Sequence, residues 1–261
     1  MPRESGPTTT PDEKSDLRAL RLLWLASPAL PAGGFAWSRG LEAACQAGLV
    51  TGSPDLELFL RSSLEHGLGR LDLPVLARVM LLENDGNDGD DGDEGNDGDD
   101  AGENDFERRV RELDDLSLAG RDTSEFLAEE VEGGKAVWRL VLELGLRPAA
   151  PGDGSFVPGL TVGFGLLARG LGFGPGDVVP VVSGFASAWL QNQTQAAARL
   201  VRVGQYELQR LAARLLPVVA RVSRGAAGGA GSGDDEIGSN LPMLSILSAR
   251  HQDSPEKLFR S

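Results

Sequence analysis

The sequence predicts an all-α protein, a single-domain helical bundle of roughly eight to ten helices. Three observations carry the prediction. Apolar residues recur at helical spacing along most of the chain, several of these runs open with helix-start signals, and clear alternating strand runs joined by hairpin dipeptides are missing.

The elements follow in order. Leu17, Leu20, Leu23 and Trp24 form an apolar stripe that stops at Ser27-Pro28, where the residue before proline disfavours helix. Ser53-Pro54-Asp55 supplies a capping hydroxyl, a proline suited to the first turn and an acid near the positive dipole end. Leu56, Phe59, Leu60 and Leu64 then repeat at helical spacing to about Gly67, and Asp72-Leu73-Pro74 opens another helix that runs to about Leu82. Phe106, Val110, Leu113 and Leu116 mark the next. Residues 123–144 read as a long helix weakened around Gly133-Gly134, and 161–171, 176–202 and 205–222 complete the set. Pro180 sits in a first turn and is tolerated, whereas Pro217 should kink or end its helix.

Three stretches are expected to lie outside the packed helices of the 16–261 domain. Residues 1–15 are polar and carry no apolar core of a secretory signal. Residues 83–105 hold 12 acids and no base among Gly and Asn, so self-repulsion keeps this insert unfolded. Residues 225–236, beginning GAAGGAGSG, have the composition of a flexible linker. The insert explains the charge: it carries −12 of the net −14, leaving −2 for everything else. Neither part offers the basic patch that nucleic acid requires. The longest nearly apolar run, Val178 to Leu190, is short of the ~20 residues needed to cross a membrane. One cysteine, Cys45, rules out an internal disulfide, and the expectation is a cytoplasmic protein.

A search for catalytic chemistry is unproductive. A nucleotide-hydrolysing loop needs glycines at set spacing ending in Lys-Ser/Thr, and Gly133-Gly134-Lys135-Ala136 has neither the spacing nor the hydroxyl. Gly163-Phe164-Gly165-Leu166-Leu167-Ala168 fits a dinucleotide fingerprint in form, but lacks the preceding strand, so close helix packing is the better reading. Two histidines, His66 and His251, with one cysteine cannot close a four-ligand metal site. The acidic insert matches no register of a calcium loop, and no nucleophile elbow is present. Cys45 falls on an apolar helix, where an inert thiol is the default. The expectation is a binding or scaffold protein, not an enzyme, with no cofactor bound directly.

The positive signal is Leu25-Ala-Ser-Pro-Ala-Leu-Pro-Ala-Gly-Gly-Phe-Ala-Trp-Ser-Arg-Gly-Leu-Glu42. Pro28 and Pro31 stiffen this helix-to-helix loop, and Phe35 and Trp37 are large aromatics that serve either as core anchors or as interface anchors. The segment resembles the N-terminal signature of the UreF-type urease accessory proteins. Trp189-Leu190-Gln191-Asn192-Gln193, Gly204-Gln205, Ser248-Ala249-Arg250-His251 and the closing Lys257-Leu258-Phe259-Arg260-Ser261 agree with that family in order and spacing, over most of residues 17–261. Trp37 stands where the family usually has tyrosine, Lys257 where it has arginine, and Gln252 where an acid is common. Lysine keeps the charge of arginine but loses its planar fork.

The resemblance implies an all-helical cytoplasmic homodimer. It implies partners of three kinds: a UreD/UreH-type accessory protein, a UreG-type GTPase and apo-urease, with nickel handled by the assembly. The residues it marks for partner binding are Phe35, Trp37, Arg250, His251, Lys257, Leu258, Phe259, Arg260 and Ser261. The tail 251–261, polar but ending in Leu258-Phe259-Arg260, is expected to order on contact with a partner, Phe259 filling a pocket and Arg260 meeting an acid. The alternative is a helical interaction scaffold unrelated to urease.

Overall fold

A computed structural model describes residues 11–30, 37–83, 105–146, 155–239, 241–252 and 257–260. Among these residues there are ten α-helices and no strand. They are α1 (Pro11–Leu25), α2 (Leu41–Gln46), α3 (Ser53–Ser62), α4 (Asp72–Leu81), α5 (Asp105–Ala119), α6 (Ser124–Glu143), α7 (Leu160–Gly170), α8 (Val178–Leu200), α9 (Gln205–Gly228) and α10 (Pro242–Gln252). The all-α single-domain class is as the sequence predicts.

The centre of the molecule is α4. Leu73, Leu76 and Met80 face one apolar cluster with α3, α8 and α9, while Val75 and Val79 face a second cluster with Phe106, Val110, Leu113, Val162 and Leu166. A helix apolar on all sides can only be interior. Helix α7 lies beside it and divides its side chains likewise, Phe164 and Leu167 to the first cluster and Val162 and Leu166 to the second. The Gly163-x-Gly165 pattern falls within α7. A Cβ at Gly165 would come 2.6 Å from Val79 Cγ1, so the glycine sets how closely α7 approaches α4. The packing reading of that motif fits the structure.

Several expectations are corrected. Helix α1 starts at Pro11, inside the stretch expected to be disordered. Asp12 and Glu13 stand in its first turn, and Arg18 and Arg21 tie it to Asp177 and to the Leu171 carbonyl. Its predicted stripe is not what it buries: Leu17, Leu20, Leu23 and Trp24 are exposed, and Leu25 with Leu22 meets the core. Helix α6 is unbroken at Gly133-Gly134, and Gly134 serves close packing: a Cβ there would fall on the Pro158 carbonyl oxygen and 2.7 Å from Gly159 Cα.

Helix α9 passes through Pro217 and runs on to Gly228. Pro217 and Ala213, whose carbonyl loses its donor, both lie on the solvent side where water can replace the bond. The expected linker at 225–236 is therefore partly helical. Ala226 is buried, and Arg78, itself buried on α4, donates to the carbonyls of Ser232 (2.8 Å) and Gly233 (3.1 Å) and pairs with Asp234. Glycine content makes a segment permissive, but a buried guanidinium can still hold it. Of the expected unstructured insert, residues 84–104 lie outside the described residues, and Asp105 opens α5.

Candidate functional site

The site is built on the turn Ser38-Arg39-Gly40-Leu41-Glu42 that leads into α2. Arg39 (φ 46°) and Gly40 (φ 79°) both take left-handed backbone, which turns the chain sharply. Ser38 Oγ accepts from the Glu42 amide at 3.2 Å and steadies the start of the helix. Gly40 meets a second constraint, since a Cβ there would lie 2.5 Å from Leu244 Cδ1 of α10. The motif thus points two charged side chains in different directions.

Arg39 enters a buried ionic network. Its Nε donates to Glu129 at 2.7 Å, and its Nη atoms lie 3.4 Å from Asp72. Asp72 also meets Arg121 at 3.0 Å, and Arg121 pairs with Glu130 at 2.7 Å. Burial works against the charge on Arg39, but Glu129, Asp72 and Glu130 outweigh it and raise its pKa. Burial likewise opposes ionisation of Asp72, and Arg121 with Arg39 brings it below the usual carboxylate range. Glu129 is raised by burial despite Arg39. Two acids of the network serve the entrance to α7: Glu130 Oε1 accepts from the Thr161 amide (2.7 Å) and Asp114 Oδ1 from the Gly159 amide (2.8 Å), amides that have no helical partner. Burial, with Glu130 nearby, lifts Asp114 to about 6 although the Gly159 bond opposes it.

Glu42 points to the C-terminus. Its Oε1 accepts from the Leu258 amide at 2.8 Å; its Oε2 accepts from the Phe259 amide at 2.9 Å and lies 3.2 Å from His251 Nε2. The other ring nitrogen, Nδ1, lies 2.9 Å from Glu125 Oε1. Ser248 donates to Glu125 Oε2 at 2.9 Å and lies 2.8 Å from Thr123 Oγ1, which caps α6 by accepting from the Phe126 amide. Ser245 with Asp122 and Gln252 with Ser124 extend the docking of α10 onto the start of α6. Lys257 Nζ donates to the Gln252 carbonyl and stands 3.6 Å from Glu125.

Most of the marked residues meet here. Trp37, His251 and Phe259 are buried, at 5, 1 and 6% exposure. Arg260 lies over the Trp37 ring, 6.0 Å from its centroid, and Arg199 over the Phe259 ring at the same distance. Trp37 is therefore an anchor within the fold, which decides between the two roles the sequence left open. Arg250 and Leu258 are exposed, whereas Phe35 and Ser261 lie outside the described residues. Of the tail expected to order on a partner, residues 251–252 and 257–260 are described. Residues 257–260 rest on their own domain, because Glu42 satisfies two of their amides and the core accepts Phe259. Sequence reasoning missed Glu42 as the hub and Glu125 and Arg39 as its neighbours. The one available signal was Glu125 and Glu129 at i, i+4, on one face of their helix.

The chemistry of the site is adhesive. Burial and Glu42 push the half-buried Cys45 thiol up to about 11, far from a nucleophile's range. Among the described residues no three His, Cys, Asp or Glu side chains are grouped to hold a metal ion, and no helix is long and apolar enough to cross a membrane.

Comparison with known proteins agrees with this arrangement. The UreF family model matches residues 50–216, more than half of the chain. A urease accessory protein UreF of Chromohalobacter salexigens is 37% identical over 256 residues, covering 97% of this chain and all of the relative. Those of Pseudoalteromonas translucida (35%, 97% of this chain, 98% of the relative) and Pseudomonas putida (36%, 95% and 99%) are similar over nearly their full lengths. With the helical fold and its C-terminal docking, these matches show that the chain belongs to the UreF family of urease accessory proteins.

Proposed function

We propose that this chain is a non-enzymatic scaffold for urease maturation. It works in the cytoplasm as a homodimer, bridging a UreD/UreH-type protein and a UreG-type GTPase so that nickel reaches apo-urease. The observation that carries the reading is the similarity to urease accessory proteins over nearly the full length of both chains. The site supports it in kind, since it joins α2, α6, α10 and the tail through buried contacts and offers no reactive group. Outward from these contacts point Leu258, 71% exposed, with Arg250 and Arg260, which a partner can reach without unfolding the domain.

The test is activation of apo-urease with nickel, bicarbonate, GTP and the other accessory proteins, with and without this chain. Activation that depends on the chain, at the same nickel concentration, supports the reading. Equal activation without it removes the urease role and leaves a helical interaction scaffold of other purpose.

A further inference from the structure

Two polar atoms on α8, Trp189 Nε1 and Asn192 Oδ1, are enclosed, and neither has a hydrogen-bond partner in the chain. The two residues stand one helical turn apart, so their side chains share a face of the helix. Buried polar atoms are ordinarily paired, and two orphans side by side call for a partner from outside the chain. Both residues line one cavity of about 50 Å³. Trp189 also borders a neighbouring cavity beside Arg121, but of the two cavities Asn192 borders only this one. Much of its wall is apolar and buried, from Leu25, Leu160, Phe164 and Phe185. The two charged residues on its lining, Arg39 and Glu129, meet each other at 2.7 Å.

These features define the chemistry of an occupant. An indole N–H only donates, and an amide oxygen only accepts. The occupant must therefore accept at one point and donate at another close by. It must also be neutral, because the paired charges leave no counter-ion for it and apolar walls penalise a charge. At roughly 10–15 Å³ for each atom of water size, there is room for about four non-hydrogen atoms. A primary amide meets all three conditions, its C=O facing Trp189 and its N–H facing Asn192. Waters would match the two orphans but set their remaining O–H groups against leucine and phenylalanine.

We propose that this cavity is a binding site for a small primary amide, the class that includes acetamide and urea. Trp189 and Asn192 read the amide group, while Leu160, Phe164 and Phe185 keep bulk water from it. The site lies within one chain, so it does not depend on any partner of the scaffold.

The experiment titrates the full-length, 15N-labelled chain with acetamide, acetate and acetamidinium, which share nearly one shape. Acetate has no N–H for Asn192, and acetamidinium has no lone pair for Trp189. The indole N–H signals of the four tryptophans report binding, with exposed Trp24 as the internal control. For so small a ligand, saturation is expected at millimolar concentration. The expected result is a saturable shift of the Trp189 signal with acetamide, and affinity weaker by about tenfold or more for either ion. Trp189→Phe keeps a ring in place and removes the donor. Its affinity for acetamide, followed at the Asn192 side-chain amide, should fall about fivefold or more. A Trp189 signal that acetamide leaves unmoved means that water alone fills the cavity, and overturns the proposal. So does a drift without saturation that Trp24 shares, or an ion that binds as tightly as acetamide. Should the phenylalanine variant fail to fold, the wild-type titration with the three probes decides alone.

Discussion

Replacing Glu42 by glutamine separates the hold on the tail from the body of the fold. The substitution keeps the volume and one acceptor oxygen. It turns an NH2 group either towards the Leu258 amide or towards the Phe259 amide, donor against donor. If the tail stayed in place, losing one charge-assisted bond with its amide left against a donor, and weakening the other to a neutral bond, would cost about 3–5 kcal/mol. Releasing the tail instead exposes Phe259, worth about 1.5–3 kcal/mol for a buried side chain of this size, and recovers chain entropy. Release is the cheaper route, so the variant should lose about 2 kcal/mol and open its tail about 30-fold more often. Trypsin cleavage after Lys257, followed by mass spectrometry, reads the opening. Urea unfolding reads the stability, and circular dichroism should show the helices unchanged. Cleavage and unfolding both indistinguishable from wild type would refute the view of Glu42 as the hub.

Three further outcomes are expected. Gly134→Ala drives a methyl into the Pro158–Gly159 backbone, which cannot rotate away, and should cost about 3 kcal/mol in urea unfolding; a loss under about 0.5 kcal/mol would mean that α6 and α7 are not packed as described. Asp114, lifted to about 6, holds its proton more tightly folded than unfolded, so its contribution is full below about pH 4 and is lost as pH rises through 6. Asp114→Asn keeps the acceptor for Gly159 and should therefore gain on the wild type between pH 4 and 7, by up to about 3 kcal/mol in thermal or urea unfolding; a constant difference across that range would contradict the assignment. Cys45, pushed up to about 11 from an ordinary 9.0, should react with iodoacetamide at pH 8 on the order of 100-fold more slowly than an unhindered thiol.

The helices were legible in the sequence where their signals are local. Ser53-Pro54 and Asp72-Leu73-Pro74 announce α3 and α4, and those helices begin at Ser53 and Asp72. Where long-range contacts overrule local preference, the reading failed. The glycines after Ala226 read as a linker until Arg78, 154 residues away, takes the Ser232 carbonyl. The Gly133-Gly134 pair read as a weak point because nothing local reveals Pro158 against it. The site was half legible. Family likeness marked Trp37, His251 and Phe259, but Glu42 meets His251 across 209 residues, and no periodicity foretells that a helix-start acid will cap a distant tail. Burial of Glu129 and Glu130 was equally hidden, since charged residues on a helix ordinarily face water.

The most direct test of the scaffold role is co-expression of the full-length chain with a UreD/UreH-type protein and a UreG-type GTPase. Size-exclusion chromatography with light scattering then gives the mass of each species. We expect one assembly containing all three proteins, with two copies of this chain, and loss of that assembly when residues 256–261 are deleted while helicity is kept. A chain that elutes apart from both proteins would contradict the account. So would an assembly indifferent to the deletion, since it would place recognition away from the tail.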